Sequence, residues 1–208
     1  MLPQDQYLAA LIAFICSSPT AFHATASAAT LLKKNGFGQL EEQECWNSLP
    51  AGKYLVTRND SSLIAFTWHG KGSAIQMIGA HTDSPGLRVK PNPLRKEQNC
   101  LLLGVEVYGG ALLRPWFDRE LSLAGRVCWQ AEQGELCSAL LDFKRPLGII
   151  PNLAIHLNRE ANNKQEVNKQ TDIVPIIGLS VEDDVDYQKI LLSQLCLQHP
   201  GVAPLGII

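Results

Sequence analysis

The sequence predicts an α/β protein whose second half is rich in strands, and three features of its 208 residues carry that expectation. Apolar side chains recur at helical spacing near the start, and the period changes after Gly38. From Pro91 onward short apolar runs follow one another between Gly, Pro and polar clusters. From Gln4 to Ile15 the positions Leu8, Leu11, Ile12 and Ile15 fall on one helical stripe, which Ser17-Ser18-Pro19 ends. A second helix follows. Ser18 or Thr20 can cap it, Pro19 suits a first turn, Ala24 to Leu32 is alanine-rich, and Gly36 closes it.

Beyond Gly38, Lys53 to Thr57 and Leu63 to Trp68 are expected strands of a hairpin turned by Arg58-Asn59-Asp60-Ser61-Ser62. Ala74 to Ala80 is apolar without alternation, as for a strand covered on both faces of a mixed or parallel sheet. It runs into His81-Thr82-Asp83-Ser84-Pro85-Gly86. Further strands are expected at Leu101 to Tyr108, Leu121 to Trp129, Leu136 to Phe143 and Ile173 to Leu179, and a short helix from Asp186 to Leu197 capped by Glu182-Asp183-Asp184. Two prolines in Lys90-Pro91-Asn92-Pro93 stiffen the chain and interrupt pairing, so the expected units are 1–92 and 93–208.

Composition narrows the partners. With 18 Lys+Arg against 20 Asp+Glu, a net charge of -2 and 46% hydrophobic residues, the chain belongs with ordinary globular proteins, neither disordered nor membrane-embedded. No block of Lys or Arg marks a surface for nucleic acid or anionic lipid, so no nucleic-acid and no membrane partner is expected. The apolar stretch Leu8 to Cys16 is far short of the roughly 20 residues of a membrane span, and no Lys or Arg precedes it as in a signal peptide. A cytoplasmic protein is therefore expected. Its six cysteines lie far apart without a Cys-x-x-Cys pair, as befits reduced thiols.

Chemistry concentrates at few positions. His81 and Asp83, two residues apart at an expected strand end, present an imidazole and a carboxylate to one face. Such a pair suits a metal site, where the imidazole ligates Zn²⁺ and the carboxylate orients a ligand or tunes a bound water; an exposed His beside an Asx turn is the plainer alternative. Pro85-Gly86 turns the chain away and leaves the pair at a strand-end crevice. His156, flanked by Leu153, Ile155 and Leu157, has the local sequence of a satisfied structural histidine. In Arg114-Pro115-Trp116-Phe117-Asp118-Arg119-Glu120-Leu121 the charges are expected to form an Arg–carboxylate network that pins a turn, with a tight bend at Gly109-Gly110. No phosphate loop, Gly-x-Ser-x-Gly elbow or Cys–His nucleophile pattern occurs.

At His81-Thr82-Asp83-Ser84-Pro85-Gly86 followed by Arg88-Val89-Lys90-Pro91, the chain resembles the aspartyl aminopeptidase family of zinc metallopeptidases. Ser18-Pro19-Thr20 with Phe22-His23-Ala24, Tyr108-Gly109-Gly110, the block from Trp116 to Val127 and Ile150-Pro151-Asn152-Leu153-Ala154-Ile155-His156-Leu157 agree with it, in the family's order. The resemblance implies the first part of an α/β zinc-peptidase catalytic domain over 1–92 and a β-rich dimerisation domain over 93–208. It implies that His81 is a zinc ligand and that Asp83 is a catalytic carboxylate supporting the metal centre. His156 would reach a partner subunit's site, touching substrate or metal. The expected activity is zinc-dependent release of N-terminal residues, with acidic ones as a candidate class, from peptides by a homo-oligomer.

The resemblance also implies a departure. Family members are about twice as long, and the remaining ligands of their two-metal Zn²⁺ site lie in a second catalytic half. After Leu179 only Glu182, Asp183, Asp184, Asp186 and His199 are on offer, and none stands in the family's motif. The expectation is thus a truncated chain, inactive alone, whose alternative role is a catalytically dead dimerisation or interaction module.

Overall fold

Pro3 fixes the backbone entry to helix α1, Gln4–Cys16, which ends where Ser17 N–H bonds back to Ala13 O and Ser17 Oγ to Phe14 O. The expected stripe exists but is not buried. Tyr7, Leu8, Leu11, Ile12 and Ile15 are all exposed, and α1 buries no residue. Helix α2, Ala21–Lys34, begins at the Thr20 cap, whose Oγ1 accepts from His23 N–H. It ends in a Schellman motif: Gly36 at φ 83° lets Gly36 N–H reach Lys33 O and Phe37 N–H reach Leu32 O.

The computed structural model describes residues 3–70, 76–131, 133–163, 166–179, 185–202, 204 and 207. The chain forms two compact units, Met1–Ser84 and Pro85–Ile208. In the first, β1 (Gly38–Gln39) pairs parallel with β2 (Gly52–Arg58), and β2 pairs antiparallel with β3 (Ser62–Trp68) in register from Gly52↔Trp68 to Arg58↔Ser62. Asn59 and Asp60 adopt φ 50° and 54°, and Ser61 N–H closes on Arg58 O, so the hairpin uses the turn that suits strand twist. Leu55 and Val56 of β2, with Thr25 and Ala29 of α2, form the small buried interior.

The strand expected at Ala74 to Ala80 is not observed. Residues 71–75 lie outside the described residues, and 76–80 pair with no strand and are exposed, Ile78 fully so. A run of apolar side chains becomes a two-faced buried strand only if neighbours satisfy its backbone on both edges. The β1–β2–β3 sheet does not include it.

The second unit opens with β4, Gly86–Glu97, where a linker was expected. The prolines of Pro91-Asn92-Pro93 sit inside that strand, and the unit boundary falls between Ser84 and Pro85. Pairing with β5, Cys100–Tyr108, shifts register between Val89 and Leu94, and this irregularity accommodates residues that cannot donate to the ladder. Gln98 and Asn99, both at positive φ, make the two-residue turn. Strand β8, Ile176–Leu179, adds to β5, giving the order β4-β5-β8. A separate ribbon joins β6, Ala124–Gln130, to β7, Leu136–Asp142.

Two apolar clusters hold this unit. Val105, Ile150 and Ile173 are buried with Trp116 and Phe117 packed around them. Val127, Trp129, Leu141 and Phe143 are buried against Leu191 and Leu195 of α3, Tyr187–Gln198. Asp186 caps α3 by accepting from Gln188 N–H, the place where the sequence had put Glu182-Asp183-Asp184; 180–184 lie outside the described residues. All six cysteines are free thiols, and no helix among the described residues is long and apolar enough to cross a membrane.

Candidate functional site

His81 and Asp83 lie in irregular backbone just before β4, not at a strand end, yet their side chains meet. His81 Nδ1 is 2.7 Å from Asp83 O and 3.3 Å from Asp83 Oδ1. A carbonyl oxygen only accepts, so Nδ1 is a protonated nitrogen, and in the neutral ring Nε2 is the nitrogen that offers a lone pair to a metal. Between them, Thr82 Oγ1 donates to Ser61 O at 2.7 Å and ties the segment to the β2–β3 turn. Both side chains are open to solvent, His81 at 79%.

The donor set fits part of a zinc centre. An imidazole with a fixed tautomer and a carboxylate beside it are what Zn²⁺ accepts, but a structural or catalytic zinc takes three or four protein ligands. Among the described residues no group of three or more His, Cys, Asp or Glu could hold a metal ion.

His156 belongs to the other unit, in an exposed turn closed by Leu157 N–H on Ala154 O at 2.8 Å. It is not a core histidine. Its neighbours Leu153, Ile155 and Leu157 are exposed as well, Leu157 to 74%, an unusual display for three branched aliphatics in one turn.

The charged block before it does pin a turn, but through an amide. Asp118, at φ 53°, accepts from Asn152 N–H at 2.9 Å and from Asn152 Nδ2 at 2.7 Å. The backbone donor first, and the side-chain amide second, hold its carboxyl below the usual aspartate range. Gly109, at φ 69°, makes the expected bend; a Cβ there would touch Pro85. The other histidines have local partners or none of interest: His23 Nδ1 lies 2.8 Å from the Thr20 hydroxyl, and His199 Nε2 lies 3.2 Å from Leu140 O.

A model of the aminopeptidase I zinc metalloprotease family, M18, matches residues 14–205. The chain is 52% identical over 201 residues to "Probable M18 family aminopeptidase 2" of Pseudomonas entomophila, covering 94% of this chain and 46% of that protein. It is 54% identical over 194 residues to the protein of the same name from Pseudomonas fluorescens, covering 91% and 45%. Among solved structures, the cryo-EM structure of the Ape4 and Nbr1 complex superposes with TM-score 0.86 at 37% identity, covering 94% of this chain and 41% of the other. The crystal structure of prApe1 superposes with TM-score 0.80 at 28% identity, covering 95% and 45%. The chain spans about half the length of the curated relatives it matches. Over most of its length the chain thus has a known fold, and it belongs to the M18 family of aminopeptidases.

Proposed function

We propose that residues 1–208 carry part of a zinc-dependent aminopeptidase that removes N-terminal residues, acidic ones among them, from peptides. The observation that carries this is the His81–Asp83 pair: one imidazole nitrogen is engaged by Asp83, and the other is left with its lone pair for a metal. In this reading His81 is a zinc ligand and Asp83 orients it and tunes the attacking water. A two-metal hydrolase also needs ligands for the second ion and a base for the water, and two donors do not supply them. Residues 1–208 alone are therefore inactive, and the working centre requires the remaining half of the relatives' length. Residues 1–84 then contribute to the catalytic domain, and 85–208 form a dimerisation domain in which His156 reaches toward a partner's substrate or metal.

The homo-oligomer is supported by the likeness to the S. cerevisiae mApe1 dodecamer, at TM-score 0.70 and 26% identity. The exposed Leu153, Ile155 and Leu157 beside His156 favour a second reading too, a module whose lasting role is association.

The test is complementation. Residues 1–208, purified with Zn²⁺ or Co²⁺, leave aminoacyl chromogenic substrates intact; fused to the part of the Pseudomonas entomophila relative that they do not match, they hydrolyse them. In the fusion His81→Ala removes metal and activity together. Asp83→Asn lowers activity by about 10–100-fold, more than it lowers metal content. Turnover by residues 1–208 alone that is lost in His81→Ala refutes the dependence on a second half. A fusion that binds zinc through His81 yet never turns over leaves the module reading standing.

A further inference from the structure

The turn that bears His156 is not fixed by burial: residues 151–157 are all exposed. Just before it the chain is firmly held, because Ile150 is 1% exposed in the cluster with Val105 and Ile173. One residue spans the passage from core to turn. Asp118 N–H donates to Ile150 O at 2.9 Å, Phe117 and Ile150 form a parallel bridge, and the Asp118 carboxylate takes both the backbone and the side-chain N–H of Asn152. Pro151, between the two gripped residues, has a fixed φ and no donor of its own. Asp118 is anchored in turn by Trp116 and Phe117, which pack on the same cluster as Ile150. The grip therefore carries the rigidity of the core into the first residues of an exposed loop.

The chemistry of position 118 is specific. Two N–H donors converge on it, and only a carboxylate offers an acceptor oxygen to each; asparagine offers one oxygen and one more donor. The residue must also adopt a left-handed backbone, which Asp and Asn tolerate better than other non-glycine residues. We propose that Asp118 is a positioning residue for His156, holding through Asn152 the turn from which that imidazole projects. The inference rests on the reading of His156 given above, but the clamp itself is testable without it.

The test uses the whole 208-residue chain with Asp118→Asn, Asn152→Asp and the double swap Asp118→Asn/Asn152→Asp, followed by amide NMR. In Asp118→Asn the single amide oxygen serves only one of the two Asn152 donors and the new Nδ2 faces the other, so the grip on residue 152 loosens and exchange of the Asn152 amide should speed up by about tenfold. The heteronuclear Overhauser effects of 153–157 should fall toward flexible-loop values while the melting temperature stays close to wild type. The double swap restores the pairing, with the asparagine oxygen at 118 accepting from the backbone N–H and its amide donating to the new carboxylate, and exchange and order should return. Unchanged loop order in Asp118→Asn, or a folded double swap that stays disordered, overturns the proposal. Should Asp118→Asn not fold, Asn152→Ala, which leaves residue 118 and its backbone untouched, decides by the same amide readout.

In the complemented enzyme, Asp118→Asn and His156→Ala should reduce kcat/KM by similar factors, and their combination should cost no more than His156→Ala alone. Multiplying losses overturn the positioning role. If the complemented enzyme turns over nothing, the peptidase reading fails, while the amide measurements still decide whether the clamp orders the turn.

Discussion

Single residues here carry charge states that can be followed by pH. Asp118 titrates below its ordinary 3.8 because the folded chain directs two donors of Asn152 at its ionised form. A carboxylate whose folded value is depressed stabilises the fold fully above its unfolded value, and that contribution disappears as pH falls through the folded value. The Asn152 amide shift should therefore titrate with a midpoint under 3.8, and Asp118→Asn should abolish the transition. A midpoint at or above 3.8 contradicts the clamp. The His81–Asp83 pair was legible in the sequence, since a single residue, Thr82, separates the partners and short spacing constrains geometry even without a strand. The Asp118–Asn152 clamp was not: its partners are 34 residues apart, and the charges around Asp118 pointed to arginine as the partner instead.

At the scale of elements, strength of local chemistry decides what could be foreseen. Helix α2 was legible because Thr20, the alanine run and Gly36 each act within a turn of the residue they cap. The β2–β3 hairpin and the strands β5 and β7 follow from apolar runs bounded by turn formers. Strand β4 was missed because its prolines argue against pairing, and only the register shift between Val89 and Leu94 reconciles them with a ladder. The strand expected at Ala74 to Ala80 had the opposite fault, since hydrophobicity states a need for burial and not a conformation, and 76–80, the described part of that run, are exposed and in no strand. Helix α3 is held by packing and by Gln198, whose amide exchanges hydrogen bonds with the backbone of Asp142 as a strand neighbour would. Leu195, fully buried against Val127, Trp129, Leu141 and Phe143, is its main anchor. Leu195→Ala should cost about 2–5 kcal/mol, from lost transfer energy and the cavity left behind, measured by urea unfolding. A cost under about 1 kcal/mol would show that α3 is not docked on the β6–β7 ribbon.

For the whole molecule, the two units differ in how completely they cover their own apolar surface. The first leaves the α1 stripe, Ile64 of β3, Met77 and Ile78 exposed, while its buried interior is small. The second closes two clusters and leaves single aliphatics such as Leu112, Leu136, Leu179 and Leu197 exposed, while Leu153, Ile155 and Leu157 are exposed together around His156. Surface of that kind on an otherwise packed unit is what an interface between copies requires, and a two-fold interface uses the same patch on both subunits. A fragment from Pro85 to Ile208 should accordingly fold, give dispersed amide spectra and sediment as a dimer at micromolar concentration. Charged replacements at Leu153 and Leu157 should shift it to monomer without loss of dispersion, because both side chains are exposed and their loss leaves no cavity. His156→Ala should leave dimer and fold nearly unchanged, since an exposed imidazole contributes little to packing. A fragment that folds as a monomer at these concentrations defeats the interface, and unfolding of the His156→Ala variant would return that histidine to a structural role.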